Sequence, residues 1–207
     1  MRYHEIVNAA INYSDRRDDD GEILDNITTM LRFVESRVNK LINVQQQTRR
    51  AVMVTEEGDE YYGLPFDFAG LRDIEIRTTL DSTDRSTPEY LNPEQMNNHV
   101  ASGSTKYAYT IIDGQIQLNP PTDNCVLEIV YYAKLLPLDA VSIQENWLSI
   151  TAPDIYVFGL LVEISGFTRD AESGQIWDGR FLQEIQNMAD HDQDSRWSGT
   201  SLFVKTG

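Results

Sequence analysis

The spacing of apolar residues changes twice along this chain, and that change limits the fold more than any single motif does. Between about 21 and 44, Leu24, Ile27, Leu31, Val34, Val38 and Leu41 follow a 3-4-3-4-3 spacing. This draws one apolar seam along a helix, widened by Ile23, Met30 and Ile42. Tyr3, Ile6, Val7, Ala10 and Ile11 predict an earlier helix over 3–14. The intervening "SDRRDDDGE" breaks that helix and sets acids at the positive N-terminus of the next. From about 50 to 136 the pattern becomes one of strands. "AVMVTEE", "DIEIRTT", "KYAYTIID", "QIQLNP" and "CVLEIVYYA" are short and rich in β-branched and aromatic residues. Asp113-Gly114 predicts a two-residue hairpin turn, and "LNPEQM" predicts a short helix capped by Asn92 with Pro93 in its first turn.

Helical spacing then returns. Thr151-Ala-Pro-Asp154 predicts a capped start for a helix that is apolar almost all round from Ile155 to Ile164, which makes it the central buried helix. A last helix over about 171–190 aligns Trp177, Phe181, Ile185 and Met188. The expected fold is α+β: a helical bundle interrupted by a β-rich insertion domain, with an extended C-terminal arm. The bundle would be discontinuous, 1–47 with 137–195, around an insertion at 48–136, and the arm would span 196–207. A chain of 207 residues can bury roughly 70% of the surface it exposes when unfolded, so its core needs neither metal nor disulfide.

Charge narrows the function. With 17 basic residues against 33 acidic, the net charge is −16. Gripping phosphate requires Lys and Arg, so this is not a nucleic-acid-gripping surface, although it suits one that DNA must slide past. Cys125 is the only cysteine, which excludes an internal disulfide and a cysteine metal cluster. No signal-peptide core opens the chain, and "IYVFGLLVEI" is too short to span a bilayer. An intracellular origin is expected.

Motifs of catalysis do not assemble. His4, His99 and His191 lie in different elements. Asp190, Asp192 and Asp194 imitate the start of a calcium loop, but Ser195 and Ser201 stand where it needs Gly and Glu. Gly58 to Gly63 is followed by Leu64 rather than the Lys of a phosphate loop. Cys125 opens a strand and reads as a packed thiol rather than a nucleophile. No catalytic residue, metal site or cofactor is expected.

Two stretches remain. "EYYGLPFDFAGLRDI" (60–74) gathers four aromatics around a Gly, a Pro and an Asp. Residue chemistry leaves it open between a ligand pocket, a peptide groove and the hydrophobic anchor of a small sheet. The tail, "SRWSGTSLFVKTG", has no acid and carries Trp197, Leu202, Phe203 and Val204, unlike ordinary disordered ends, which are poor in aromatics. Such a peptide suits an arm that adds to a partner's sheet edge or fills its groove.

The segments "YYGLPFDFAGLRDI", "PEYLNPEQMNNH", "YAYTIIDGQIQLNPPTDNCVLEIVYYAKLLPL" and "NWLSITAPDIYVFGLLVEI" occur in an order that resembles the head-to-tail adaptor proteins of tailed bacteriophages, in particular short-tailed ones. The resemblance covers about residues 60–165, and its motifs are structural. It implies a structural virion protein at the head-tail junction, made in the bacterial host cytoplasm. Copies would form a ring, dodecameric in that family, under the portal, extending the DNA channel and receiving the tail nozzle or tube. Implied partners are the portal ring, the tail protein, further copies of the chain, and genomic DNA passing without sequence-specific binding; no membrane is involved.

The same resemblance makes Tyr61, Tyr62, Pro65, Phe66, Asp67 and Phe68 the core of the insertion domain, with Asp67 bonding nearby backbone or capping the turn. Trp197, Leu202, Phe203, Val204 and Lys205 become the partner-binding residues of the arm. Rival readings are a tail-completion protein on the tail side of the junction, a virion-associated peptidoglycan-degrading glycosidase, and a host-derived binding module.

Overall fold

The structure, a computed structural model, describes residues 1–15, 21–79, 81–121 and 124–197, without the side chains of 196 and 197. In chain order its elements are α1 (Tyr3–Tyr13), α2 (Gly21–Leu41), a 3-10 turn (Gln45–Gln47), β1 (Thr48–Val54), β2 (Tyr61–Gly63), β3 (Phe68–Arg77), β4 (Arg85–Ser86), β5 (Glu89–Tyr90), α3 (Pro93–Ala101), β6 (Ala108–Ile112), β7 (Gln115–Asn119), β8 (Val126–Ala133), α4 (Trp147–Thr151), α5 (Pro153–Phe167) and α6 (Ala171–Trp197). The fold is α+β, as the change of period predicts. It divides into two compact units, Met1–Gln46 with the chain from Leu135 onward, and Gln47–Lys134.

In the helical unit, α5 is the hub. It is apolar on every side, so it needs neighbours all round, and α1, α2 and α6 pack against it. Leu31, Val34, Val38, Ile155, Leu160 and Phe181 form the centre of that core. Gly159 lets two helices close on α5: a Cβ there would lie 2.6 Å from Val34 Cγ1 and 3.2 Å from Phe181 Cε2. Three expectations change. The apolar seam of α2 does not stay buried to its ends, since Leu24 and Leu41 are exposed. Thr151 does not cap the central helix; it ends the one-turn α4, which Asn146 caps through Ser149 N at 2.9 Å, and α5 begins afresh at Pro153. Finally, α6 continues through Trp197, so residues 196 and 197 are helical rather than part of an extended arm.

The second unit holds two four-stranded sheets, ordered β1-β8-β3-β4 and β2-β7-β6-β5. All pairings are antiparallel except β5 with β6. Their apolar faces share one core of Tyr62, Ile74, Ile76, Ile116, Leu127 and Ile129. Asp113 and Gly114 both have positive φ and join β6 to β7 in a two-residue turn. Asn92 caps α3 by accepting from Gln95 N at 2.8 Å, with Pro93 in the first turn.

Candidate functional site

The aromatic stretch at 60–68 divides between core and surface. Strand β2 turns alternate side chains to opposite faces. Tyr62 therefore enters the core, its hydroxyl donating to Asp59 O at 2.7 Å, while Tyr61 faces outward. Pro65 is half-buried, and its carbonyl accepts from Phe68 N at 3.0 Å to close a turn. Phe66 sits on the crest of that turn, 89% exposed. Phe68 returns inward and stacks on Tyr131 with centroids 5.8 Å apart. Tyr61 and Phe66 are thus surface residues rather than core anchors, because pleat and turn point them away from the sheet.

Asp67 also behaves differently from the expectation. Its carboxylate does not cap the turn. It is buried, accepts from Tyr131 Oη at 2.9 Å, and pairs with Arg49 at 3.4 Å. One acid thereby fixes the turn to both β8 and β1. Burial, followed by the Asp67 hydrogen bond, pushes the Tyr131 hydroxyl above its usual pKa.

A ladder of charge crosses all four strands of the first sheet. Arg50 on β1 donates to both Glu128 oxygens, at 2.5 and 2.6 Å. Arg77 on β3 donates to Glu128 and reaches Glu75 at 3.4 Å; Arg85 on β4 donates to Glu75 at 2.9 Å. The register makes this possible, since Glu128 lies opposite both Val52 and Glu75. The Arg50 hydrogen bond holds the Glu128 carboxyl below its ordinary pKa, overcoming a desolvation that acts the other way.

In the helical unit the polar focus is Glu35, buried on α2. Its Oε1 accepts from Leu138 N at 2.6 Å and from Tyr156 Oη at 3.3 Å, and its Oε2 accepts from Arg32 at 2.8 Å. Asn146 donates to Tyr156 Oη at 2.6 Å and to Leu136 O at 2.7 Å. Asn39 accepts from Leu135 N at 2.8 Å. The segment 135–146 is thus fastened to α2 by Asn39 and Glu35, and to α5 by Tyr156. Burial pushes the Glu35 carboxyl above its ordinary value, against the opposing pull of Leu138 N–H and Arg32. Burial likewise pushes Tyr156 up.

Sequence reasoning did not single out Glu35 or the charge ladder, although each leaves a signal. Glu35 lies four residues after Leu31 and three before Val38, on the flank of the seam; Glu128 interrupts an apolar run. The acids near the end of α6 do not form a uniformly solvated helix end. Asp192 is buried and accepts from Gln45 N at 2.7 Å, holding the start of the 3-10 turn.

Among the described residues no group of three or more His, Cys, Asp or Glu could hold a metal ion. An open groove of about 580 Å³ at the α5–α6 corner is lined by Val162, Ser165, Gly166, Gly174 and Asp178 among others, with no histidine or cysteine in its lining. Of the predicted arm residues, Leu202, Phe203, Val204 and Lys205 lie outside the described residues, as does the side chain of Trp197.

Within each unit, buried charges fix strands and connections. The family model for the SU10 adaptor protein matches residues 1–203. The chain belongs to that family. The chain is therefore a structural protein of the phage virion, of the head-to-tail adaptor kind. The match takes in both compact units. No curated protein matches the adaptor. No helix among its described residues is long and apolar enough to cross a membrane.

Proposed function

We propose that this adaptor forms a ring beneath the phage portal, extends the channel through which DNA leaves the head, and presents the docking site for the tail nozzle or tube. The observation that carries this reading is the family match over residues 1–203. In this reading the helical unit packs copy against copy and seats on the portal, while the β-rich unit meets the tail protein. A net charge of −16 suits a conduit, because DNA carries about one negative charge per 1.7 Å and passes acidic walls without sticking. The acid-free tail is the portal anchor, through Trp197, Leu202, Phe203, Val204 and Lys205, and it orders on its partner.

Gradient co-sedimentation with the portal ring encoded in the same genome tests this. Full-length protein is run beside versions ending at Trp197 and at Asp194, because α6 extends to Trp197. The full chain should travel with the portal and both shortened chains should stay at the top. Binding by the chain ending at Trp197 would move the anchor into α6. A full chain that ignores the portal but binds the tail tube would place the protein on the tail side instead.

A further inference from the structure

The chain has 33 acidic residues, yet the outer face of its longest helix is free of charge for several turns. At 3.6 residues per turn, Gln175, Ile176, Gly179, Leu182, Gln183 and Gln186 share the face turned away from Phe181 and Ile185. All six are exposed, Ile176 to 54%. Glu172 stands at one end of this face and Asp190 and Asp194 at the other, all exposed. Gly179 leaves open space on this face: a Cβ there would meet nothing within 4 Å.

A second surface of the same unit has the opposite character. On the outer side of α2, Phe33 is 57% exposed, with Leu41 exposed further along. The surrounding cations are Arg32, Arg37 and Lys40, and the only acid between Thr29 and Leu41, Glu35, is buried beneath Arg32. Arg37 is 2.6 Å from Asp178, so one guanidinium already spans α2 and α6 within the unit.

We propose that the uncharged face of α6 receives the Phe33 face of α2 from a second copy of this chain. The inference rests on the adaptor reading above, in which copies stand side by side, and it names the surfaces that meet. Two copies that each carry −16 repel over most of their area, so close approach is confined to places where acids are missing or matched by cations. Phe33 lies over Gly179 between Ile176 and Leu182, and Lys40 of α2 meets the acids that bracket the α6 face. Placing α6 on α6 would set acid against acid. The contact is thus heterologous, the kind that repeats around a closed ring.

Disulfide trapping in full-length protein lacking Cys125 (Cys125→Ser) tests it. A Phe33→Cys chain is mixed with a Gly179→Cys chain under mild oxidation, beside a control pairing Phe33→Cys with Val141→Cys, an exposed position on neither α2 nor α6. Because a disulfide forms only between closely placed Cβ atoms, the Phe33–Gly179 heterodimer should exceed the control at least about tenfold. Leu182→Glu in the Gly179→Cys chain should bring it down to the control. Lys40→Glu in the Phe33→Cys chain should weaken trapping, and Asp190→Lys in the other should restore it. Yields equal to the control, or homodimers dominating in both chains, would overturn the proposal. The same chains are co-sedimented with the portal. Portal binding with control-level trapping removes this interface and leaves the adaptor reading, whereas trapping without portal binding does the reverse.

Discussion

Glu35 is a carboxylate placed where a helix seam would be expected to bury an aliphatic side chain, and it is kept there by three donors from three directions. Burial raises its pKa in the folded chain above the ordinary 4.5. Between the ordinary value and the raised one, the folded state therefore holds more protons than the unfolded state, and stability falls as pH rises through that window. Glu35→Gln removes this titration while keeping an oxygen for Leu138 N and Tyr156 Oη. Thermal melts taken upward in pH from the ordinary value of 4.5 should show a shallower decline for Glu35→Gln than for the parent; parallel slopes would mean that Glu35 does not titrate as the folded chain requires. Glu128 acts in the opposite sense, since its lowered pKa contributes stability above the ordinary value that is lost as pH falls through the folded one. The two groups could not be told apart in the sequence. Each is one acid next to apolar residues, and what separates them is the identity of the neighbours that the fold supplies.

At the level of elements, the change of period was legible and the ends were not. In α2 a strict 3-4 repeat drifts by about 20° per heptad against a straight helix. Leu24 and Leu41, at opposite ends of the seam, accordingly swing off the buried face in opposite directions. Thr151-Ala-Pro-Asp154 misled for a different reason: Asn146 and Ser149 had already closed a capping box, and Pro153 was the true first residue of α5. Tyr61 and Phe66 were assigned to the core because composition cannot tell a strand's two faces or a turn's crest. Within the helical unit, Gly159 is the residue that sets helix spacing. A methyl there would press on Val34, a stiff β-branched neighbour. Gly159→Ala should therefore destabilise by about 1–3 kcal/mol, even though alanine favours an exposed helix by about 1 kcal/mol. Urea unfolding gives the value, and a stabilised variant would mean that α2 and α6 can move apart freely.

For the molecule as a whole, α+β architecture could be read from the order of elements, whereas the pairing of eight strands into two sheets could not. Neither could the fastening of 135–146 by Asn39 and Glu35. Strand partners far apart in sequence leave no local trace, and a side chain's partner across the fold is set only once the fold exists. One such long-range pairing has a kinetic consequence. The strands by which the chain enters and leaves the β-rich unit are neighbours: Thr48 lies opposite Tyr132, and Gln47 Nε2 donates to Ala133 O across a separation of 86 residues. The helical core draws on both sides of that separation, with Val34 against Gly159 and Phe181. A folded β-rich unit therefore acts as a clasp, shortening the loop that the helices must close about threefold and saving about 1 kcal/mol of closure entropy. Folding should then proceed from the inside of the chain outward. Ile129→Ala, which weakens the β-rich core by about 2–5 kcal/mol, should slow assembly of the helical core, to which Ile129 does not belong. Trp147, Trp177 and Trp197, the three tryptophans of the chain, all fall in the helical unit, so stopped-flow fluorescence reads that delay directly; an unchanged rate would mean that the helices find one another without the clasp.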